Sequence, residues 1–295
     1  MRDRLPQKLE NHLIEPQRDK ENLSELPGYR PYIPPGQPQP GDPLEKDQAP
    51  WTIRQTFTGI LLTLVPWIVL AFLLDNIGGG KTSNTGTLTP QQDLVAAIIT
   101  LIFSTIIEAA FLIAPFYYAN AVFRGIAHHT KLSLKALGFR KFSVGTTFFW
   151  IVVLIIAILA VNNIYQYLIT AFHLNLQTND QVLLAESKKA PLTTYATLLV
   201  AVFVAPFCEE IFFRGFVFQG LRRGMPAGWA ILFSALIFGV AHADPGSFAV
   251  LFIIGLALAF LRWRTKSIWP GMMLHMLNNG IGAIVIVLYI QGIMH

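Results

Sequence analysis

"FCEEIFFRGF", residues 207–216, places two glutamates and an arginine among phenylalanines and isoleucine. Apolar residues continue on both sides, from about Leu192 to Leu221. A run of this length exceeds the roughly 20 apolar residues with which a helix crosses a bilayer. An ionised group at mid-bilayer costs about 2.5 kcal/mol or more, so charges retained there face a protein interior or a wet cavity. The stretch therefore predicts a membrane helix that carries a buried polar site.

The rest of the chain has the same apolar character. Of its 295 residues, 53% are apolar and 13% are charged, a composition that soluble domains seldom have. The apolar runs lack the alternation that is typical of barrel strands. We therefore predict an all-α fold, a polytopic transmembrane helical bundle of about seven membrane helices within residues 51–295. The seven runs are about 56–74, 94–119, 144–172, 192–221, 227–243, 247–263 and 268–290.

Residues 1–50 differ from this pattern. They carry charges of both signs, and prolines are dense in "PGYRPYIPPGQPQPGDP", residues 27–43. Such a segment buries too little apolar surface to offset its ordering entropy, which predicts a disordered, partly polyproline cytoplasmic tail. The tail is either a plain spacer or a ligand for a proline-binding partner. No apolar run follows its basic start, so we do not expect a signal peptide.

Basic residues favour alternate connections between the apolar runs. Because basic flanks are retained in the cytoplasm, this pattern predicts a cytoplasmic amino terminus and an external carboxy terminus. Lys188 and Lys189 are the main exception. The net charge of +5 follows from the same pattern, so we expect the lipid bilayer and no nucleic acid as a partner. The basic connections hold Arg124, Lys131, Lys135, Arg140 and Lys141, then Arg222 and Arg223, then Arg262, Arg264 and Lys266.

Helical spacing separates the charges of the opening stretch. Glu210 and Arg214 are four residues apart, in the order that favours an ion pair along one helix face. Glu209 lies about 100° away around the helix, so we expect it to face other surroundings. The alternative is that "EEIFFR" ends a helix at the membrane surface. It is disfavoured because Glu210 precedes Arg222 by twelve residues, about 18 Å at the helical rise.

Two later runs carry polar residues at a similar depth. His242 ends "FGVAH" in the fifth run, and "HMLNN" in the seventh run places His275 and Asn279 on one face. A single histidine on an apolar helix is more often a hydrogen-bonded core residue. Two histidines, a glutamate and an asparagine at one level instead favour a shared site. Imidazoles can hold Zn²⁺ or orient a water, and a carboxylate beside them can take a proton from that water.

Three motifs in this order carry a family resemblance. "EEIFFRG" at 209–215, "FGVAH" at 238–242 and "HMLNN" at 275–279 resemble the motifs of the CPBP intramembrane proteases. That family includes the type II CAAX prenyl endopeptidases and the abortive infection proteins. The resemblance covers about residues 190–290, where it places the catalytic core, and "LGFR" at 137–140 resembles a weaker family feature.

The resemblance implies an endopeptidase in a bacterial inner membrane, with a site that opens toward the cytoplasmic half. Its substrate would be a membrane-associated peptide or protein, including prenylated CAAX-type chains. Glu209 would be the base that activates water. A divalent metal, Zn²⁺ foremost, would be held by Glu209, His242 and His275; in a metal-free account these histidines and Asn279 position the water and the oxyanion. Glu210 and Arg214 would brace the helix or meet a substrate carboxylate.

Other polar residues in the apolar runs allow two interpretations each. Cys208 is either a packing residue or a nucleophile, and its apolar setting disfavours the nucleophile. Glu108 pairs with Arg214 or lines the cavity. Asn162 and Asn163 indicate a wet interior or hydrogen bonds between helices.

Two other functional classes stay open at this point. The chain could be a non-catalytic membrane scaffold or immunity protein, because a fold does not determine a function. It could also be a transporter, which the missing inverted repeat disfavours.

Overall fold

The fold is given by a computed structural model that describes residues 49–73, 87–124 and 129–294. The predicted tail at 1–50 lies outside these residues, except for its last two positions. There the chain is already attached: Ala49 is fully buried, and its N–H donates to the Gln219 carbonyl. Arg223 donates from Nη1 to the carbonyls of Pro50 and Trp51. The first described residues thus dock on the end of the helix that carries Gln219 and Arg223.

Helices account for almost all of the described chain, and no strand occurs in these ranges. The predicted helical bundle is confirmed, and every predicted apolar run is helical. Two further short helices, His129–Ala136 and Asn179–Ser187, lie in connections where no helix was predicted. The helices are α1 Ile53–Leu73, α2 Pro90–Ala110, α3 Ile113–Val122, α4 His129–Ala136, α5 Val144–Ala171, α6 Asn179–Ser187, α7 Pro191–Gly224, α8 Ala227–Ala241, α9 Phe248–Thr265 and α10 Trp269–Ile290.

Six helical spans in the described residues are long and apolar enough to cross a membrane. They are α1, α2 together with α3, α5, α7, α9 and α10. The fifth predicted crossing, α8, is also apolar but has only 15 residues, so the prediction of about seven becomes six full-length spans and one shorter helix. Many large apolar side chains on α1, α2 and α5 are exposed, which is expected where a helix faces lipid.

Local sequence explains where several helices begin and end. α2 starts with a capping box, in which Thr89 and Gln92 bond to each other's backbone N–H, followed by Pro90 in the first turn. α2 ends at Ala110, and after a short break at Phe111 the equally apolar α3 begins at Ile113. α8 ends at His242, and Ala243 takes a left-handed conformation with φ of 50°. This bend places the His242 side chain at a helix end.

The core is a cluster of aromatic rings around α7. Phe216 stacks on Trp51 at 5.2 Å between ring centroids and on Tyr118 at 5.6 Å. Phe213 lies edge-on to Phe238 of α8 at 5.1 Å. Except for the half-buried Tyr118, these rings are almost fully buried, and pairs of this kind contribute about 0.5–1.5 kcal/mol beyond their area burial. α7 is therefore the central helix, with its charged stretch surrounded by packed rings.

Candidate active site

Three helices bring the predicted site residues together. Glu209 of α7 lies with its Oε2 atom 4.0 Å from His242 Nε2 at the end of α8. The same oxygen lies 3.9 Å from His275 Nε2 of α10. Glu209 Oε2 is buried and makes no hydrogen bond within the described residues. One carboxylate oxygen thus faces two imidazole nitrogens that come from separate helices.

Hydrogen bonds on the far side of each ring define what these nitrogens can do. His242 Nδ1 lies 2.8 Å from the Phe238 carbonyl, which only accepts, so Nδ1 carries the proton and Nε2 offers its lone pair. His275 Nδ1 lies 3.4 Å from Glu210 Oε1. A proton on this nitrogen of the neutral ring would face the Glu210 carboxylate and would leave the lone pair of Nε2 directed toward Glu209. The site then gathers three acceptor atoms, an arrangement that favours a proton donor or a cation between them.

Glu210 and Arg214 form the predicted ion pair. Arg214 Nη1 lies 2.9 Å from Glu210 Oε1, and both side chains are fully buried. Arg214 also donates from Nη2 to the Gly255 carbonyl at 3.3 Å, and its guanidinium lies 4.3 Å from the centre of the Phe238 ring. The Glu210 carboxylate thus balances the charge of Arg214, and the Gly255 carbonyl and the Phe238 ring occupy the space around its guanidinium. Arg214 is not among the residues that line the cavity, so the alternative role of meeting a substrate carboxylate does not fit.

Glu209 and Glu210 face different surroundings, as the helical spacing predicts: Glu209 lines the cavity, whereas Glu210 pairs with Arg214 and does not line it. The spacing does not predict that both carboxylates also approach the same imidazole, Glu209 at Nε2 and Glu210 at Nδ1 of His275. The reason lies in the helix, which changes from α to π geometry over Glu210–Val217, after an earlier π segment at Val200–Val204. π turns are rare and often occur at functional sites, where they alter the spacing of neighbouring side chains.

A cavity of about 410 Å³ extends from this cluster. Glu108 of α2 lines it together with Glu209, and Arg214 has its partner elsewhere, so the lining interpretation of Glu108 applies and the Arg214 pairing does not. Asn162 of α5 also lines it, as a wet interior predicts, whereas Asn163 donates to the Leu159 carbonyl of its own helix. Polar side chains thus enter the cavity from α2, α5, α7 and α10.

Asn279 lines the same cavity and is held in place. Its Nδ2 atom donates to the Ala201 carbonyl of the first π segment at 2.8 Å, and its Oδ1 accepts from Asn278 at 3.2 Å. Cys208 is 3% exposed and does not line the cavity, in keeping with the packing interpretation. Asn279 therefore remains within reach of the site, and Cys208 lies outside it.

The cavity lining reaches two connections between helices. It includes Thr178, Asp244 and Ser247, which belong to connections that the basic residues predict to lie outside. The arginine pair at 222–223 lies at the other end of α7 and contributes nothing to the lining. The opening of the site toward the cytoplasmic half stays a prediction.

A metal ion fits the donor chemistry of the cluster but not its present spacing. One carboxylate and two imidazoles are ligands that zinc uses in catalytic sites. Adjacent ligands of a tetrahedral zinc are about 3.3 Å apart, given bonds of about 2.0 Å. The distances of 3.9 and 4.0 Å are wider, and no group of three or more His, Cys, Asp or Glu in the described ranges is close enough to hold an ion as it stands.

Three supporting residues had no signal in the sequence. Gly271 leaves room for the Glu210 carboxylate, since a Cβ there would lie 2.6 Å from Oε2. Gly255 supplies the carbonyl that Arg214 binds. Trp67 of α1 donates from Nε1 to the Ala241 carbonyl at 3.0 Å, next to His242. Gly271 and Gly255 act through their backbone, and Trp67 acts through its side chain. Only the packed structure brings these three residues near the site.

Comparison with known proteins connects this geometry to a family. A model of the family described as type II CAAX prenyl endopeptidase Rce1-like matches residues 191–281, which contain all the clustered motifs. A Bacillus subtilis (strain 168) protein named "Putative membrane peptidase YdiL" is 35% identical over 101 residues, 34% of this chain and 40% of the relative. An uncharacterized protein of Mycoplasma capricolum is 30% identical over 152 residues, 46% of this chain and 44% of the relative. The chain thus spans less than half the length of these relatives, and no solved structure matches.

Proposed function

We propose that the chain is an intramembrane endopeptidase of the CPBP family, because residues 191–281 match the model of the Rce1-like family. It is an integral membrane protein, and its substrate is a membrane-associated peptide or protein, with prenylated CAAX-type chains as one class. The observation that carries the proposal is the convergence of Glu209 with His242 and His275 at 3.9–4.0 Å beside a polar cavity.

In this proposal, Glu209 is the general base. Two acceptors about 4 Å apart can share one water, which donates one proton to Glu209 Oε2 and the other to His242 Nε2. As the water oxygen attacks the peptide carbonyl carbon, its proton passes to Glu209. The carbon–nitrogen bond then breaks, and Glu209 returns that proton to the leaving amine. Glu209 thus serves first as base and then as acid.

Glu210 and Arg214 act as positioning residues. Arg214 pairs with Glu210, and Glu210 lies beside His275 Nδ1, so the pair would favour a proton on that ring nitrogen. Asn279, fixed by its bond to the Ala201 carbonyl, and His275 lie beside the cavity where the oxyanion would form.

A divalent metal is the second form of this proposal. Glu209, His242 and His275 would hold it after moving inward by about 0.6 Å, the difference between 3.9 Å and the 3.3 Å ligand spacing. A bound Zn²⁺ would supply Lewis-acid activation of the water and the carbonyl. Metal analysis of purified wild type and His275→Ala distinguishes the forms. Zinc near one equivalent that is lost in the variant supports the metal, whereas metal-free protein that cleaves in the presence of a chelator supports the water-only form.

The test of the function compares membrane proteins before and after treatment. Membrane fractions from cells that lack this protein are incubated with purified wild type or Glu209→Gln in detergent, and new peptide termini are identified by mass spectrometry. We expect new termini with wild type and none with the variant. If a folded Glu209→Gln protein produces the same termini, Glu209 is not the base; if neither protein produces any, the chain acts as a scaffold in these membranes.

A further inference from the structure

Glu108 is a carboxyl side chain at the cavity that the proposed hydrolysis does not use. It lies on α2, outside the segment that matches the family, and it lines the cavity shared with Glu209 and both histidines. Its Oε2 atom is buried and has no hydrogen-bond partner among the described residues. A buried carboxylate without a partner is unfavourable, so this position favours a cation or a strong donor.

The charges of the cavity wall have one sign apart from the histidines. Glu108, Glu209 and Asp244 all line it, and the described lining contains no lysine or arginine. Asp244 has a structural task, since its Oδ1 accepts from the Ser247 N–H at the start of α9. Glu209 faces His242 and His275. Glu108 is thus the carboxylate at the cavity without a structural partner of this kind.

We infer that Glu108 determines specificity by binding a lysine or arginine side chain of the substrate near the bond that is cleaved. This inference rests on the proposed protease function and concerns its substrate class. A charge-assisted hydrogen bond to Glu108 replaces the solvation that the cationic side chain loses on entry. An uncharged residue at the same position would leave Glu108 without a partner.

The experiment uses the full chain in proteoliposomes with short, lipid-anchored alanine–leucine peptides. The series places lysine, norleucine or glutamate at each position in turn. Cleavage is measured for wild type, Glu108→Gln, Glu108→Asp and Glu186→Gln. Glu186 is an exposed glutamate of α6, so Glu186→Gln removes the same charge at a position away from the cavity. Binding is measured in a Glu209→Gln background, where no cleavage is needed.

The inference predicts that wild type prefers lysine to norleucine at one position by about tenfold to a hundredfold, the strength of a hydrogen bond to a charged group. Glu108→Gln loses this preference, Glu108→Asp restores much of it, and Glu186→Gln keeps it. Cleavage that ignores the charge of the peptide overturns the inference and leaves the protease function intact. If wild type binds lysine peptides selectively but cleaves none of them, Glu108 does select a cation, and the proposed protease function is refuted.

Discussion

Replacing Gly271 by alanine tests whether the Glu210 carboxylate is held where the structure places it. Gly271 lies in the first turn of α10, and an added Cβ would come within 2.6 Å of Glu210 Oε2 and 3.5 Å of its Cδ. Ordinary contact begins near 3.4 Å, so Oε2 must move by about 0.8 Å, the difference between these distances. Backbone is not in the way, and the whole adjustment falls on Glu210.

That movement has few outlets. Glu210 is fully buried, and its other oxygen lies 2.9 Å from Arg214 and 3.4 Å from His275 Nδ1. Overpacking of this kind costs about 1–3 kcal/mol, against which a glycine-to-alanine change in a helix returns about 0.5–1 kcal/mol. We therefore expect a net loss of stability of up to about 2.5 kcal/mol. Displacement of a positioning group by about 1 Å also predicts a fall in cleavage of about a hundredfold.

The assay pairs thermal unfolding in detergent with cleavage of membrane-anchored peptides. Gly280→Ala is the matched control, because it lies on the same helix and its Cβ would meet only Val202 at an ordinary 3.9 Å. The control should be as stable as wild type or slightly more so, and equally active. If Gly271→Ala behaves like the control in both measurements, the Glu210 carboxylate does not occupy this position. The proposal that Glu210 positions the His275 ring is then refuted.

Three further predictions concern a helix start, a buried cysteine and the membrane orientation. Asp93 accepts from the Leu192 N–H at 2.8 Å and the Thr193 N–H at 2.9 Å, so Asp93→Ala should lower the free energy of unfolding by about 1–3 kcal/mol. A loss in thermal unfolding no larger than that of the exposed Glu186→Gln would contradict this. Cys208→Ala should keep wild-type cleavage, whereas abolished cleavage by a folded variant would restore the nucleophile alternative. With Cys208 removed, Pro245→Cys should react with an impermeant maleimide on intact cells and Arg264→Cys only after permeabilisation; the reverse pattern would invert the proposed orientation.

The helices were predictable because their signal is local. Apolar length alone gave each run, and the predicted 192–221 run corresponds to α7 at Pro191–Gly224. Spacing also gave the Glu210–Arg214 pair, since that contact lies within one helix. The shortness of α8 was visible as a run of about 17 residues, but its end at His242 depends on the bend at Ala243.

The remaining features depend on contacts between helices. The π segment at Glu210–Val217 lets two adjacent glutamates approach one imidazole, and no spacing rule for an α-helix predicts that. The place that Gly271 leaves for Glu210 is set by the packing of α10 on α7. The cavity lining combines residues of α2, α5, α7 and α10, which only the packing of these helices brings together. The short helices α4 and α6 are too polar to give an apolar signal.

A double-mutant cycle on cleavage measures most directly whether Glu209 and His275 act as one unit. The variants are Glu209→Gln, His275→Ala and their combination, each checked for folding by thermal unfolding. Because the two groups meet at 3.9 Å in one site, each single change should reduce cleavage by about a hundredfold or more, and the combination should reduce it no further than the worse single change. Losses that multiply in the double variant, or a Glu209→Gln protein that cleaves at the wild-type rate, would contradict the convergence on which the proposed chemistry depends.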